Sequence, residues 1–263
     1  MLPPDAPLVF DGHNDVLYHL SKTDRATAVR AFREGRRGEA KGHIDLPRAR
    51  AGGFGGGFFA IWSPSPDEAD HAAEMVKPSY DLPLPAPLDQ ASALSDVVKK
   101  AALLRAMDTA GAVALCRSTT EIRAAFAVGQ VAAVMHLEGA EAIDADLAAL
   151  DILHAAGLRS LGPVWSRPTI FGHGVPFRYP STGDIGAGLT EAGERLVRRC
   201  NALGIMIDLS HLNEAGFWDV ARLSDAPLVA THSNVHAICP HARNLTDRQL
   251  DAIAASGGVV GLN

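Results

Sequence analysis

Four short segments concentrate the residues that can hold a metal or move a proton. They are Asp11-Gly12-His13-Asn14-Asp15, His136-Leu137-Glu138-Gly139, Asp208-Leu209-Ser210-His211 and Ala230-Thr231-His232-Ser233-Asn234. Each follows a short apolar run. Alternation along a strand puts His13 and Asp15 on the same side. Ionisable groups rarely sit at buried strand ends without a role, which makes His13, Asp15, Glu138, His211 and His232 the candidate site. Imidazoles and carboxylates together suit zinc or a similar first-row ion. Five ligands are too many for one tetrahedral zinc but suit two ions sharing a carboxylate. Such a pair, ~3.5–4 Å apart, generates a hydroxide and polarises a carbonyl. Taken singly, each residue also has an ordinary reading. His13 and Asp15 could cap a turn, a strand-end histidine more often bonds backbone, and Glu138 could sit at a helix N-terminus. Four strand ends bearing such groups together are harder to assign to packing.

The elements that must bring these segments together are legible as strands and helices. Apolar runs at Leu8–Phe10, Phe54–Ile61, Val131–Leu137, Leu158–Val164, Ile205–Leu209, Leu228–Ala230 and Val259–Leu262 read as strands. Helical spacing marks Ser92–Ala110, Leu147–Ala156, Glu191–Leu203 and Asp247–Ala255, with Thr190 and Thr246 as starts and Gly204 and Gly257 as stops. Continuous apolar strands separated by helices imply a parallel sheet covered on both faces. With no polar linker in mid-chain, an α/β barrel is favoured over a doubly wound sheet, and its strand C-termini share one mouth. The proline-rich stretch Pro64–Pro87 reads as an irregular surface excursion. Arg167–Gly188 reads as a loop at the active-site end.

Composition narrows the class. The 263 residues carry a net charge of −6, with 47% hydrophobic and 21% charged residues, an ordinary globular balance with no polyanion-binding signature. No nucleic-acid partner is expected. No apolar run approaches the ~20 residues of a membrane helix, and no secretory leader is evident at the N-terminus. Cys116, Cys200 and Cys239 are widely spaced and lack a CxxC pattern. A reducing, cytoplasmic compartment without membrane association is therefore expected. The glycines of GGFGGGFF lack the helix context of a dinucleotide fingerprint and instead imply close backbone approach at the second strand.

The segments DGHNDVL, HLEGAEAI, DLSH, ATHSN and ARN, in this order, resemble the membrane dipeptidase (renal dipeptidase, peptidase M19) family of the amidohydrolase superfamily. The resemblance implies a TIM (β/α)8 barrel of the metal-dependent hydrolase type and zinc-dependent hydrolysis of a small dipeptide to free amino acids. By position it places His13 and Asp15 on a first Zn2+ and His211 and His232 on a second, with Glu138 bridging them. It also places Arg243 on the free carboxylate of the dipeptide. Many members carry a histidine at the end of the fourth strand; Trp165 stands there in this chain, as a candidate substrate-binding residue. The family's GxDxDG-like eighth strand has no counterpart before Asn263. The expectation is one barrel domain over 1–263, C-terminally incomplete, lacking its eighth strand, with an insertion around 64–87 and low turnover on its own. A homodimer is left open.

Two other functions compete with this reading. Another binuclear amidohydrolase, acting on N-acyl amino acids or lactones, usually bridges its metals through a carboxylated lysine, and no lysine follows Lys100. A non-catalytic metal-binding barrel draws some support from Trp165 and from the missing aspartate.

Overall fold

A computed structural model describes residues 7–35, 42–65 and 71–263. Seven parallel strands build the wall around the site: β1 (Val9–Asn14), β2 (Phe54–Ile61), β3 (Ala132–Glu138), β4 (Leu158–Gly162), β5 (Met206–Ile207), β6 (Val229–Ala230) and β7 (Val259–Val260). The first five hydrogen-bond in chain order. A bridge from Asp208 to Val229 carries the wall from β5 to β6, and β6 pairs with β7. This is the curled sheet of a TIM-type barrel, in which each strand follows its predecessor around the axis. Among the described residues no ladder joins β7 to β1, so the wall is open between those two strands.

Local chemistry explains the elements. β3 is buried along its whole length, which is why its sequence is apolar without alternation. β2 can lie close to β3 because Gly56 has no side chain; a Cβ there would collide with the carbonyl oxygen of Ala132. The helix Glu191–Leu203 begins at Thr190, whose hydroxyl accepts the Gly193 amide at 3.1 Å, and ends at Gly204 with φ 66°. It turns Gly193, Leu196, Val197 and Cys200 inward, one face at helical spacing. Burying a leucine such as Leu196 contributes about 1.5–3 kcal/mol. The helix Asp247–Ala255 starts with a capping box, the Thr246 amide donating to Gln249 Oε1 at 2.9 Å.

The structure also corrects several sequence expectations. β1 runs on to Asn14, so Asp11, Gly12 and His13 lie within the strand rather than beyond it. Helices Arg25–Glu34, Thr119–Ala127 and Glu214–Leu223 add to those read from spacing, as does the short strand Ala114–Leu115 beside β3. The proline-rich stretch lies partly outside the described residues. Its later part is not wholly irregular, because Tyr80–Asp81 pairs antiparallel with Arg178–Tyr179. Arg178 Nε donates to Asp81 Oδ1 at 2.7 Å across this ribbon. It ties the excursion to the loop after β4, and Met75 from the excursion reaches the wall of the site cavity.

Candidate metal centre

The C-terminal ends of the strands open into a cavity of about 550 Å³. His13 and Asp15 reach it from the end of β1, Glu138 from the last residue of β3, His211 from the turn after β5, and His232 from the turn after β6. All five sequence-derived ligands line this one space, together with Arg243 and Trp165. Gly12 allows the convergence: β1 passes so close to Thr231 that any Cβ on Gly12 would overlap the Thr231 carbonyl. His211 holds a left-handed backbone, φ 67°, unusual for a residue with a Cβ. Its carbonyl accepts the Val175 amide at 2.9 Å, which helps to hold that turn.

Glu138 is the hub. His211 Nε2 lies 3.0 Å and His232 Nε2 3.1 Å from its Oε1, while His13 Nε2 stands 3.8 Å from Oε2. His211 Nε2 and His232 Nε2 are themselves 3.1 Å apart. On the other side, His13 Nε2 is 3.5 Å from Asp15 Oδ1, which also accepts the Trp62 indole N–H at 2.8 Å. Nitrogen and oxygen atoms of His13, Glu138 and His232 lie within 4.8 Å of one another, a spacing that fits one divalent ion between them.

Charge follows from this crowding. Burial alone would raise the Glu138 carboxyl, but His13, His211 and His232 around it hold it well below the usual range. Burial pushes His211 down to about 3, with the Arg243 cation adding to the effect, and burial lowers His232 as well. His13 moves the other way. Burial opposes its charge, yet the carboxylates of Glu138 and Asp15 outweigh it and raise His13 to about 9. The donor set therefore fits a divalent cation: an ionised carboxylate and two lowered imidazoles converge on one point, where each can offer a lone pair.

Arg243 supplies a second recognition element. Its Nη2 donates to the His232 carbonyl at 3.2 Å, while its buried Nη1 has no partner. Burial lowers this guanidinium to about 10, so it stays charged at neutral pH. A buried, unpaired N–H beside a cation-binding cluster suits a carboxylate that arrives with a ligand. Trp165 forms part of the opposite wall, stacked on Trp62 with centroids 5.5 Å apart. The Arg167 guanidinium lies 4.9 Å from the Trp165 ring and pairs with Glu141 at 2.6 Å and with the carbonyl of Ser63. Arg167 is fully buried and does not line the cavity, so it stiffens the tryptophan wall and is no substitute for the family histidine. His173 does not line the cavity either.

Sequence reasoning assigned no role to four residues here. Trp62 orients Asp15, and Asp208 and Thr231 stand behind His232. His136, two residues before Glu138, is fully buried with its Nδ1 2.7 Å from Ser160 Oγ. Strand alternation from Glu138 was the available signal for His136.

The family description "Membrane dipeptidase (Peptidase family M19)" matches residues 5–263. The chain belongs to this family. M19 membership makes it a hydrolase of the metallo-dipeptidase kind, a class that requires a divalent metal. The chain is 56% identical to a metallo peptidase from Rhodobacter sphaeroides solved with a phosphinate mimic of the dipeptide L-Ala-D-Ala. That match has a TM-score of 0.93 and covers 98% of this chain and 74% of that one. It is 40% identical to the "Uncharacterized protein in PQQ-III 3'region" of Acinetobacter calcoaceticus, over 100% of this chain and 82% of that protein. Dipeptidase verJ of Clonostachys rogersoniana is 28% identical, over 97% of this chain and 61% of its own length. Among the described residues, no helix of this M19 chain is long and apolar enough to cross a membrane.

Proposed function

We propose that this M19 protein, through one barrel domain, hydrolyses dipeptides to free amino acids with two divalent ions, most naturally zinc. His13 and Asp15 would hold one ion, His211 and His232 the other, and Glu138 both. The observation that carries this reading is the juxtaposition of the His–carboxylate cluster with the unpaired Nη1 of Arg243 in one cavity. When bound, the metal pair supplies a hydroxide nucleophile at neutral pH and Lewis acidity at the scissile carbonyl. The chain's own residues then do the positioning. Arg243 binds the substrate's terminal carboxylate by a charge-assisted contact, which sets the distance from that carboxylate to the peptide bond. A peptide one residue longer would place the wrong bond over Glu138, so dipeptides are preferred. The tandem of Trp62 and Trp165 packs against the substrate's apolar parts and excludes water from that side. The Rhodobacter sphaeroides relative, crystallised with its L-Ala-D-Ala mimic, supports small dipeptides with a D-residue at the C-terminus as the first substrates to try. Three free cysteines fit a reducing compartment.

The test is steady-state hydrolysis by the zinc-loaded full-length protein of L-Ala-D-Ala, its C-terminal amide, and an N-acetyl amino acid. We expect turnover of the free dipeptide. Arg243→Met should raise KM at least ten-fold, the order expected for losing a charge-assisted bond. Hydrolysis of the N-acetyl compound but not of the dipeptide would overturn the reading.

A further inference from the structure

His211 and His232 present their Nε2 atoms to the same point, but what stands behind each ring differs. Behind His211 is a single hydroxyl, Ser166 Oγ, 2.8 Å from Nδ1. That hydroxyl can donate or accept, so it fixes no tautomer. Behind His232 the Thr231 hydroxyl lies 2.8 Å from Nδ1 and also donates to Asp208 Oδ2 at 2.6 Å. A hydroxyl has one proton. With that proton directed at Asp208, Thr231 Oγ1 can only accept from His232, so Nδ1 of His232 carries a hydrogen, and Nε2, which faces Glu138 Oε1 at 3.1 Å, is the nitrogen left for an ion.

Asp208 cannot turn away from this task. Its Oδ1 accepts the amides of Ser210 at 3.0 Å and Thr231 at 2.9 Å, and the residue is 1% exposed. The nearby His136 Nε2 is 3.5 Å from Oδ2, too far to compete with the short Thr231 bond. The His232 backbone is held as well, its amide donating to Ser210 Oγ at 3.1 Å. Neither Asp208 nor Thr231 lines the cavity, so neither can touch substrate.

We propose that Asp208 and Thr231 are positioning residues: the chain of bonds from Asp208 through Thr231 to His232 sets the His232 tautomer, so that Nε2 is ready to take a metal ion. The proposal rests on reading the cluster as a metal centre. It assigns a role to the aspartate of DLSH and the threonine of ATHSN, neither of which is among the proposed ligands.

The experiment combines two readouts on the metal-free full-length protein: zinc affinity, by competition with a chromophoric chelator, and the histidine tautomers, by nitrogen-15 NMR. In the unmutated protein His232 should show the Nδ1–H tautomer. Thr231→Val keeps the shape and removes the hydroxyl, and should weaken zinc binding about ten- to hundred-fold, as loss of a ligand's supporting hydrogen bond does. Thr231→Ser restores the hydroxyl and should restore affinity. Asp208→Asn gives a sharper result. The amide oxygen keeps the two backbone bonds, so the amide nitrogen faces Thr231 Oγ1 and turns the threonine proton toward His232. Nε2 should then carry the hydrogen, with a loss at least as large. A Thr231→Val protein that melts with its parent and binds zinc equally well overturns the proposal. If that variant does not fold, an Nε2–H tautomer of His232 in the unmutated protein overturns it instead. Failure of the unmutated protein to bind zinc would overturn the metal-centre reading, while the tautomer would still decide the relay.

Discussion

The two halves of the candidate centre are built differently. The half formed by His211 and His232 is almost closed to solvent, and each ring has a hydroxyl fixed behind its Nδ1. The half formed by His13 and Asp15 is looser. His13 Nδ1 is buried without a partner, and the Asp15 side chain is 45% exposed, steadied by Trp62. This half hangs from β1, whose outer edge pairs with no other strand among the described residues. Ligands supported from behind lose little freedom when they bind, whereas unsupported ones must be ordered by the ion itself. The first half should therefore bind its ion more tightly.

Glu138→Gln tests what the halves share. It removes the charge at the hub and leaves buried imidazoles facing an amide, so both ions should be lost, with affinity down more than about a hundred-fold by isothermal titration. Next in size is the contrast between the halves. His232→Ala should abolish the tighter of two zinc-binding phases, while His13→Ala should remove only the weaker one and leave the first intact. Equal losses from both would erase the distinction.

Acidity separates the halves further. In the metal-free protein His13 is raised to about 9, so at neutral pH it is protonated and must release a proton to bind a metal. His211, lowered to about 3, is already neutral there. Affinity of the weaker phase should thus rise about ten-fold per pH unit up to about 9, while the tighter phase, whose two imidazoles are both lowered, should be nearly flat from neutral pH upward. Titrations from pH 6 to 9 would show it. The smallest effect is expected from Trp62→Phe. Losing one donor to Asp15 should weaken the ion at His13 and Asp15 only a few-fold and leave the one at His211 and His232 unchanged, read by the same titration.

Much of this was legible in the sequence because the chemistry sits where strands end. The buried, mostly apolar β3 terminating in Glu138, and HxD closing β1, pointed to both the parallel architecture and the ligand candidates. What stood behind the ligands was not legible. Asp208 looked like one more polar strand end, and only its closure on Thr231 across two neighbouring strands shows that it serves a histidine. Trp62 follows the apolar run of β2 and carries no spacing signal of its own, yet its indole N–H reaches the residue that carries much of the looser half. Arg167 opens a stretch that reads as a loop at the active-site end, which says nothing of where its own side chain goes. Its burial against Glu141 and beneath Trp165 depends on contacts between segments more than a hundred positions apart, such as its bond to Ser63, and spacing carries no record of those. The helices Arg25–Glu34 and Glu214–Leu223 are capped by Asp24 and Asn213, signals that were present but lay beside more conspicuous motifs.

The most direct test of the account is anomalous X-ray scattering at the zinc edge from crystals of the full-length protein soaked with increasing zinc. The account predicts a first peak among Glu138, His211 and His232, and a second, filling later, among Glu138, His13 and Asp15. A first peak on the His13 side, or zinc elsewhere while this cluster stays empty, would contradict it.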